Sequence, residues 1–284
     1  MNNPEPEELL EFIDSVLIED IQDGDHTTLS TIDVDAMGQA HLLVKEAGII
    51  AGVDLARMIL HHIQPELEIN IAIPDSARVE PGDIVFTVFG RIQALLVAER
   101  TMLNFMQRMS GIATRTNAYV QLTRHTHAKI LDTRKTSPGL RYFEKWAVRL
   151  GGGYNHRFGL YDMIMIKDNH VDFCGGIPEA VGRAQAYMAQ HQLNLQVELE
   201  TRNLEEVRQA LATPGIDRIM LDNFDIATLK EAVQLINGKI PTEASGGINL
   251  NTVKAVAETG VDFISVGELT HSVKSLDLSF KAVM

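Results

Sequence analysis

Arg218-Ile219-Met220-Leu221-Asp222-Asn223 is a short apolar run that ends in an acid and an amide. The same layout recurs along the C-terminal half of the chain, with run ends 22, 23 and 22 residues apart at Glu200, Asp222, Ser245 and Gly267. That spacing is the length of one strand, one loop and one helix, so it predicts right-handed crossovers between parallel strands. Continuous apolar runs, rather than alternating ones, are typical of strands buried on both faces of a sheet.

Six strands of this kind are predicted, with helices between them. The strands are expected at Ala128–Leu131, Met163–Ile166, Leu195–Leu199, Arg218–Leu221, Ile240–Ala244 and Phe263–Val266. The helices are expected near 140–150, 178–192, 203–212, 225–237 and 249–259. Six units favour an incomplete parallel α/β barrel over a standard eight-stranded one. A doubly wound open sheet is the alternative, because periodicity alone does not separate the two.

The N-terminal part of the chain follows a different pattern. Helices are expected over 5–20 and 52–63, and strands near 38–50 and 66–73. The turn at Pro81-Gly82 introduces a further strand through Val88, so this region predicts a small antiparallel sheet. A long helix over 92–109 is expected to break at Ser110-Gly111 before a second helical piece that reaches about residue 125.

Composition narrows the class of protein. The single cysteine, Cys174, excludes an intrachain disulfide and fits a reducing compartment. The acidic N-terminus does not resemble a signal peptide, and no apolar run approaches the roughly 20 residues that cross a bilayer. A soluble, cytoplasmic protein without a membrane partner is therefore expected. A net charge of −13 argues against nucleic acid as the main partner.

A cluster of cations stands out in this acidic chain. Between Arg134 and Lys167 there are seven Lys or Arg residues and also His156, against only two acids, Glu144 and Asp162. Mutual repulsion makes such a cluster costly unless an anion neutralises it, so it predicts a site for a small polyanion. A solvated basic face is the alternative. The interleaved Gly151-Gly152-Gly153 and Pro138-Gly139, in place of acidic partners at helical spacing, favour the binding site.

The predicted strands end in residues suited to chemistry at one edge of the sheet, where parallel α/β folds bind ligands. Glu198 and Asp222 lie on neighbouring strands and are expected to reach one cavity. There they could hold Mg²⁺, bind ribose hydroxyls or stabilise an oxocarbenium ion. A structural salt bridge to Lys167 or Arg134 is the alternative for this pair.

The remaining candidates are cations and glycines. His156, Arg157 and Lys167 are expected to face an anionic substrate, although Lys167 could instead form a Schiff base as in a class I aldolase. Ser245-Gly246-Gly247 precedes a predicted helix, and its backbone N–H groups suit a phosphate that the loop at Gly267 would share.

Several motifs together resemble the quinolinate phosphoribosyltransferase family, also called nicotinate-nucleotide pyrophosphorylase (carboxylating). They occur in the family's order over nearly the whole chain. They are Glu99–Phe105, Asp132–Thr136 with Pro138–Arg141, Gly151–Gly153 with Asn155–Arg157, Ile166–His170, Val197–Glu200, Leu221–Asn223, Glu243–Ile248 and Gly260–Gly267.

The resemblance implies an architecture and a reaction. It implies an N-terminal open α/β sandwich over 1–110, joined by a C-terminal tail at 271–284, and a six- to seven-stranded incomplete α/β barrel over 111–270. It also implies a homodimer in which Arg100 reaches the partner's site. The implied reaction joins quinolinate to phosphoribosyl pyrophosphate in NAD biosynthesis and yields nicotinate mononucleotide, pyrophosphate and CO₂, with Mg²⁺ required.

The resemblance also assigns roles to residues. Arg100, Arg134, His156, Arg157 and Lys167 match positions around quinolinate, and Lys135 and Lys167 match groups that meet the phosphoribosyl donor. Glu198 and Asp222 match the acids that hold ribose and metal, and with Lys167 they are the expected catalytic groups. Ser245, Gly246, Gly247 and Gly267 match the phosphate loops.

The sequence is also compatible with three other functions. The first is a related phosphoribosyltransferase that acts on another aromatic acid, such as nicotinate. The second is a Schiff-base lyase that uses Lys167. The third is an anion-binding protein without catalytic activity.

Overall fold

The computed structural model describes residues 6–283. Its elements up to the long central helix are α1 Pro6–Ile21, α2 His26–Thr31, β1 Met37–Val44, β2 Gly48–Ile49, α3 Val53–Ile63, β3 Glu68–Ile71, β4 Arg78–Val79, β5 Ile84–Arg91 and α4 Ile92–Thr123. The later elements are β6 Lys129–Leu131, α5 Arg141–Leu150, β7 Ile164–Ile166, α6 Asp168–Cys174, α7 Ile177–His191, β8 Val197–Thr201, α8 Leu204–Ala212, β9 Arg218–Asp222, α9 Ile226–Ile236, β10 Thr242–Ser245, α10 Val253–Ala257, β11 Phe263–Ser265, α11 Glu268–His271 and β12 Leu278–Val283.

The chain divides into two compact units. The first unit comprises the residues up to Asn117, the segment Pro138–Gly152 and the residues from Ser272 onward, and the second comprises Ala118–Ser137 and Gly153–His271. The boundary expected after residue 110 therefore falls inside helix α4. Helix α5, expected as a barrel helix from its position between two strands, belongs to the first unit.

The first unit contains a four-stranded antiparallel sheet in the order β12-β1-β5-β3. Strand β12, from the end of the chain, pairs with β1 along six residues from Gln39 to Val44. Alternate residues of β1 and β5, such as Leu42 and Phe86, are buried against α3 and α4 in one apolar core. Burial of this face at roughly 25 cal/mol per Å² is the main force that holds the unit together.

The second unit contains a six-stranded parallel sheet in the order β6-β11-β10-β9-β8-β7. The first strand, β6, pairs with the last, β11, as barrel closure requires, whereas a doubly wound sheet would place the first strand in the interior. No pairing joins β6 to β7 among the described strands. The structure thus confirms an incomplete α/β barrel and excludes the open doubly wound alternative.

The gap beside β6 is partly filled by a single bridge. Tyr154 pairs in parallel with Leu131, and its N–H donates to the carbonyl of Ile130 at 2.8 Å. The N–H of Asp132 donates to the carbonyl of Tyr154 at 3.1 Å. This short extension places the residues after Tyr154 at the C-terminal edge of the sheet.

The expected helix break at Ser110-Gly111 is wrong, because α4 runs without interruption through both residues. Ser110 is buried, and its hydroxyl accepts from the N–H of Ala51 at 2.9 Å and lies 3.1 Å from that residue's carbonyl. A Cβ at Gly111 would lie 2.3 Å from the carbonyl oxygen of Lys274. Both small residues therefore serve close packing of the helix, not its termination.

Gly111→Ala should destabilise the protein by about 1–3 kcal/mol, because the added methyl overpacks the contact with Lys274. Helix propensity alone would instead favour alanine by about 1 kcal/mol. The matched control is Gly182→Ala, inside helix α7, where a Cβ meets no atom within 4 Å and only the propensity gain is expected. Urea denaturation of both variants measures the difference, and equal changes in free energy of unfolding would contradict the packing explanation.

No helix among residues 6–283 combines the length and the apolar character that a membrane crossing demands.

Candidate active site

A cavity of about 870 Å³ opens at the C-terminal edge of the parallel sheet, within the second unit. Its size lies in the range typical of small-molecule sites. Ten of the twelve site residues expected from the sequence line it, namely Arg134, Lys135, His156, Arg157, Lys167, Asp222, Ser245, Gly246, Gly247 and Gly267. The loops that follow the six strands thus bring together side chains that are far apart in the chain.

The two other expected residues lie elsewhere. Arg100 is exposed on helix α4, in the part that belongs to the first unit. Glu198 is fully buried and does not line the cavity. Glu198 is level with Arg218 in the strand pairing, four residues below Asp222, which at about 3.3 Å per residue is roughly 13 Å along the strand. Although their strands are neighbours, Glu198 therefore lies further from the C-terminal edge of the sheet than Asp222 does.

Glu200, two residues further along β8 on the same face, is the carboxylate that reaches the cavity. Its Oε2 lies 3.1 Å from Nζ of Lys167, whose side chain is about half exposed. Lys167 stands at the start of α6, and its backbone N–H donates to Nδ1 of His170 at 3.0 Å. The ammonium group is thus held at the cavity wall by Glu200, with donors left for a substrate anion.

Two guanidinium groups face the same cavity. Burial lowers the pKa of Arg157, and the charge of Arg134 lowers it further. Arg157 is fixed on its other side by a hydrogen bond from Nη1 to the carbonyl of Met163 at 3.1 Å. The two positive charges repel each other, and an anion with two negative groups would relieve that repulsion. The pair therefore suits a doubly charged anion.

Asp132 holds the loop that carries His156 and Arg157. It is fully buried, and its two oxygens accept from the backbone N–H of His156 at 2.9 Å and from Nδ2 of Asn155 at 2.5 Å. Because Asp132 directly follows β6, these hydrogen bonds attach the loop to the end of the strand.

A buried ionic cluster lies at the floor of the cavity. Nε2 of His156 lies 2.9 Å from Glu198 and 3.4 Å from Glu243, and Arg218 donates to Glu243 at 2.9 Å. Glu198 and Glu243 are both completely buried. Neither oxygen of Glu198 receives an aligned hydrogen bond from the described residues, so its contact with His156 is an ion pair.

The pKa values of the three titratable side chains in this cluster are shifted in different directions. Burial and the charge of Glu243 raise the pKa of Glu198. Burial would also raise the pKa of Glu243, but His156 and Arg218 outweigh it and lower that pKa. Burial would lower the pKa of His156, but the two carboxylates raise it to about 9. In this geometry Nδ1 of His156 accepts the N–H of Arg157 at 2.6 Å, so the ring carries its proton on Nε2, which faces the two carboxylates.

The loops that follow β9 and β10, here called the phosphate-type loops, contact each other directly. The N–H of Asn223 donates to the carbonyl of Ser245 at 2.9 Å. A Cβ at Gly246 would lie 2.2 Å from Oδ1 of Asn223 and 2.9 Å from its backbone nitrogen. Helix α10 begins only at Val253 and is five residues long, so the loop's N–H groups, more than a helix dipole, suit a phosphate.

Lys135 lies over the other glycine loop. A Cβ at Gly267 would lie 3.0 Å from Cδ of Lys135, so the absence of a side chain there lets the lysine stem pack flat. The hydroxyl of Thr270 fixes the lysine backbone by donating to its carbonyl at 2.7 Å. The glycine therefore places one cation beside the phosphate loops.

The basic cluster of the sequence does not act as one group. Arg141, Lys145 and Arg149 lie on α5, in the first unit, and do not line the cavity. On the same helix the buried Glu144 is paired with Arg108 at 2.5 Å. The cations that surround the cavity are Arg134, Lys135, Arg157 and Lys167, with His156 at its floor.

Sequence models of known families match both parts of the chain. The model described as the quinolinate phosphoribosyl transferase C-terminal domain matches residues 112–281, and that of the N-terminal domain matches residues 25–110. The chain belongs to this family.

Individual relatives agree with the family assignment. The chain is 46% identical to quinolinate phosphoribosyltransferase (decarboxylating) 1b of Nicotiana tabacum, over 95% of this chain and 81% of that protein. It is 43% identical to the probable nicotinate-nucleotide pyrophosphorylase (carboxylating) of Bacillus subtilis, over 98% of this chain and 94% of that protein. The crystal structure of NadC from Streptococcus pyogenes superposes with a TM-score of 0.93 at 37% identity and covers all of both chains.

The structure adds several residues that the sequence analysis did not name as site residues. Besides Glu200, the cavity is lined by Glu243, Ser265, Glu268 and His271. Two-residue alternation along β8 and β10 would have pointed to Glu200 and Glu243, because it separates the inward face from the outward one. Glu268 accepts a hydrogen bond from the buried hydroxyl of Tyr119, and no sequence pattern announces that contact.

The donor set limits where Mg²⁺ could bind in this family member. Glu198 and Asp222 do not share the cavity, so they do not fit one ion as a pair. Asp222 lines the cavity beside the phosphate-type loops and accepts from Nδ2 of Asn223 at 2.7 Å. One carboxylate beside these loops would fit Mg²⁺ bound together with a polyphosphate substrate, because Mg²⁺ keeps several waters and is held largely by substrate phosphates.

Proposed function

We propose that this chain transfers the phosphoribosyl group of phosphoribosyl pyrophosphate to quinolinate with decarboxylation, in NAD biosynthesis. The products are nicotinate mononucleotide, pyrophosphate and CO₂. The observation that carries the proposal is one cavity that combines Arg134, Arg157 and Lys167 with the glycine loops at Gly246 and Gly267. The names of the relatives from Nicotiana tabacum and Bacillus subtilis describe the same reaction.

The guanidinium pair supports quinolinate as the acceptor. Quinolinate carries two adjacent carboxylates, and Arg134 and Arg157 supply two forks that bind carboxylates in a bidentate manner. Nicotinate, the acceptor in the alternative function, has one carboxylate and would leave one of the two guanidinium groups unneutralised.

Ribosyl transfer requires charge stabilisation at two places. Departure of pyrophosphate leaves positive character on the ribose, which the carboxylate of Asp222 can stabilise from the cavity wall. Lys135 and the N–H groups of the Gly246 loop offset the negative charge of the leaving group. Mg²⁺, proposed here as the cofactor, would be held by Asp222 with the donor's phosphates and would supply Lewis-acid stabilisation of pyrophosphate.

Decarboxylation leaves the electron pair of the broken C–C bond on the ring carbon, which then takes up a proton in place of CO₂. Lys167, held at the cavity wall by Glu200, is a cation close to the guanidinium pair and can stabilise the negative charge on that carbon. The carboxylate of Glu200 keeps the ammonium of Lys167 in place. Its negative charge is balanced by that ammonium, so the pair adds no net negative charge to the site.

Carboxyl-labelled quinolinate tests the reaction. The protein should release ¹⁴CO₂ from it, and the release should depend on phosphoribosyl pyrophosphate. Nicotinate should give no nucleotide product at a comparable rate. Turnover of nicotinate with none of quinolinate would establish the rival acceptor, and no turnover of either would favour an anion-binding protein.

We further propose a cytoplasmic homodimer in which Arg100 completes the partner's site. Arg100 is exposed on α4, and the large apolar side chains of Leu160 and Tyr161 are about 70% exposed on the loop that follows Arg157. Exposed apolar side chains of this size suit a protein interface.

Subunit mixing tests the shared site. Arg100→Ala and Lys167→Ala should each be almost inactive alone, whereas their equal mixture should recover up to about a quarter of the wild-type activity, because about half of the dimers are mixed and each mixed dimer carries one intact site of two. Mixing each variant with itself is the control. Absence of recovery in dimers shown to have exchanged subunits would contradict a role for Arg100 across an interface.

A further inference from the structure

The buried cluster at the cavity floor is a connected chain of side chains. Arg218 donates to Glu243 at 2.9 Å, Glu243 lies 3.4 Å from Nε2 of His156, and Glu198 lies 2.9 Å from the same nitrogen. Arg218 is itself fixed, because its guanidinium lies 4.1 Å from the ring centre of Phe263. One side of the imidazole is therefore set by groups that belong to strands β8, β9, β10 and β11.

The other side of the imidazole is bonded to the loop that recognises anions. Nδ1 of His156 accepts the backbone N–H of Arg157 at 2.6 Å. The side chain of Arg157 lines the cavity with Arg134. The histidine ring therefore links the rigid interior of the barrel to the backbone that carries one of the two guanidinium groups.

We propose that Glu243 is a positioning residue for carboxylate recognition, which acts through His156 to fix the backbone of Arg157. The inference rests on the proposed function, in which quinolinate is the carboxylate substrate. Glu243 lines the floor of the cavity but has no exposed surface, and it lies 3.4 Å from Nε2 of His156, so we assign its effect on a ligand to its contact with the ring.

Energetics support a positioning role over a purely stabilising one. A buried ion pair such as Arg218–Glu243 is often no more stabilising than apolar residues of the same volume, because desolvation of both charges offsets their attraction. Apolar residues, however, cannot hold an imidazole in one orientation. The two carboxylates that pair with Nε2 of His156 keep a proton on that nitrogen, which leaves Nδ1 to accept from the loop.

Glu243→Gln tests the proposal. The KM for quinolinate should rise about tenfold, the lower end of the loss found when the partner that orients a metal-bound histidine is removed. The KM for phosphoribosyl pyrophosphate should stay within about twofold, because the phosphate loops lie on other strand ends. A titration of quinolinate binding to the full chain should show the same loss of affinity. Glu243→Asp, which keeps the charge, should recover part of it.

The matched control is Asp217→Asn. Asp217 also lies in the second unit, but it accepts from the N–H of Val197 at 2.7 Å, at the opposite end of the strands from the cavity. Its loss should lower stability and leave both KM values unchanged. An equal rise of both KM values in Glu243→Gln would indicate a general structural role and would overturn the proposal.

A second variant covers the case in which Glu243→Gln does not fold, and wild-type turnover separates failure of this inference from failure of the proposed function. If Glu243→Gln does not fold because Arg218 keeps an unpaired charge, the double variant Arg218→Met with Glu243→Gln removes both charges and should show the same selective rise in the quinolinate KM. An unchanged quinolinate KM in a folded variant, with wild-type turnover intact, would overturn this inference alone. A wild-type protein that releases no CO₂ from quinolinate would overturn the proposed function and this inference with it.

Discussion

Lys167→Ala is expected to lower kcat/KM with quinolinate by about 10²–10³-fold while the protein stays folded. The ammonium is the cation that Glu200 holds at the cavity wall, 3.1 Å from its carboxylate, and its side chain is about half exposed. Loss of an exposed cleft cation removes stabilisation of transition-state charge without opening the core. Steady-state rates of CO₂ release and a thermal unfolding curve measure the two effects separately.

Three further variants make this result specific. Lys230→Ala removes an exposed lysine on α9, outside the cavity, and should change neither rate nor stability. Lys167→Arg keeps the positive charge but cannot form a Schiff base, so it should retain part of the activity under our mechanism and none in a lyase. Lys167→Ala with Glu200→Gln tests whether the loss comes from an unpaired carboxylate, in which case the double variant would recover. Unfolding of Lys167→Ala would identify a structural residue instead.

Gly246→Ala is expected to lower kcat/KM for phosphoribosyl pyrophosphate by about 10²-fold, the cost of displacing a binding loop by about 1 Å. The new Cβ would lie 2.9 Å from the backbone nitrogen of Asn223, whose loop begins at Asp222. Since a backbone atom cannot rotate away, both loops must shift, and Asp222 shifts with them.

Backbone strain and displacement of the loop can be separated by a control. Gly238 has φ +69°, in the same left-handed region as Gly246 at +87°, but a Cβ there meets nothing within 4 Å. Gly238→Ala should therefore lose about 1 kcal/mol of stability with unchanged kinetics. If Gly246→Ala behaved in the same way, the glycine would be explained by its dihedral angle alone and not by contact with Asn223.

The sequence predicts the barrel well because its information is periodic. The spacing of Glu200, Asp222, Ser245 and Gly267 follows from the length of a strand–helix unit, and the structure places all four at one cavity. Spacing carries no information on depth, however. Glu198 and Glu200 differ by two residues, point to the same face and end at different levels, which only the strand register reveals.

Proximity along the chain was the less reliable guide. The cations on α5 lie between Arg134 and His156 in sequence, yet they belong to the first unit. Gly111 shows the same limit for local structure, because a glycine that packs against a carbonyl oxygen and one that ends a helix look alike until the neighbour is known. Contacts between distant segments decided both cases.

The lone bridge at Tyr154 links substrate affinity to local stability. Where a seventh strand would give a full ladder, two backbone hydrogen bonds join this segment to β6. Fraying there would withdraw Arg157 from the cavity while the six strands stay folded, since a short edge opens at lower free energy than a sheet. The amide protons of Tyr154 and Asp132 should therefore exchange with solvent faster than those in β8 to β10. Bound quinolinate should slow that exchange.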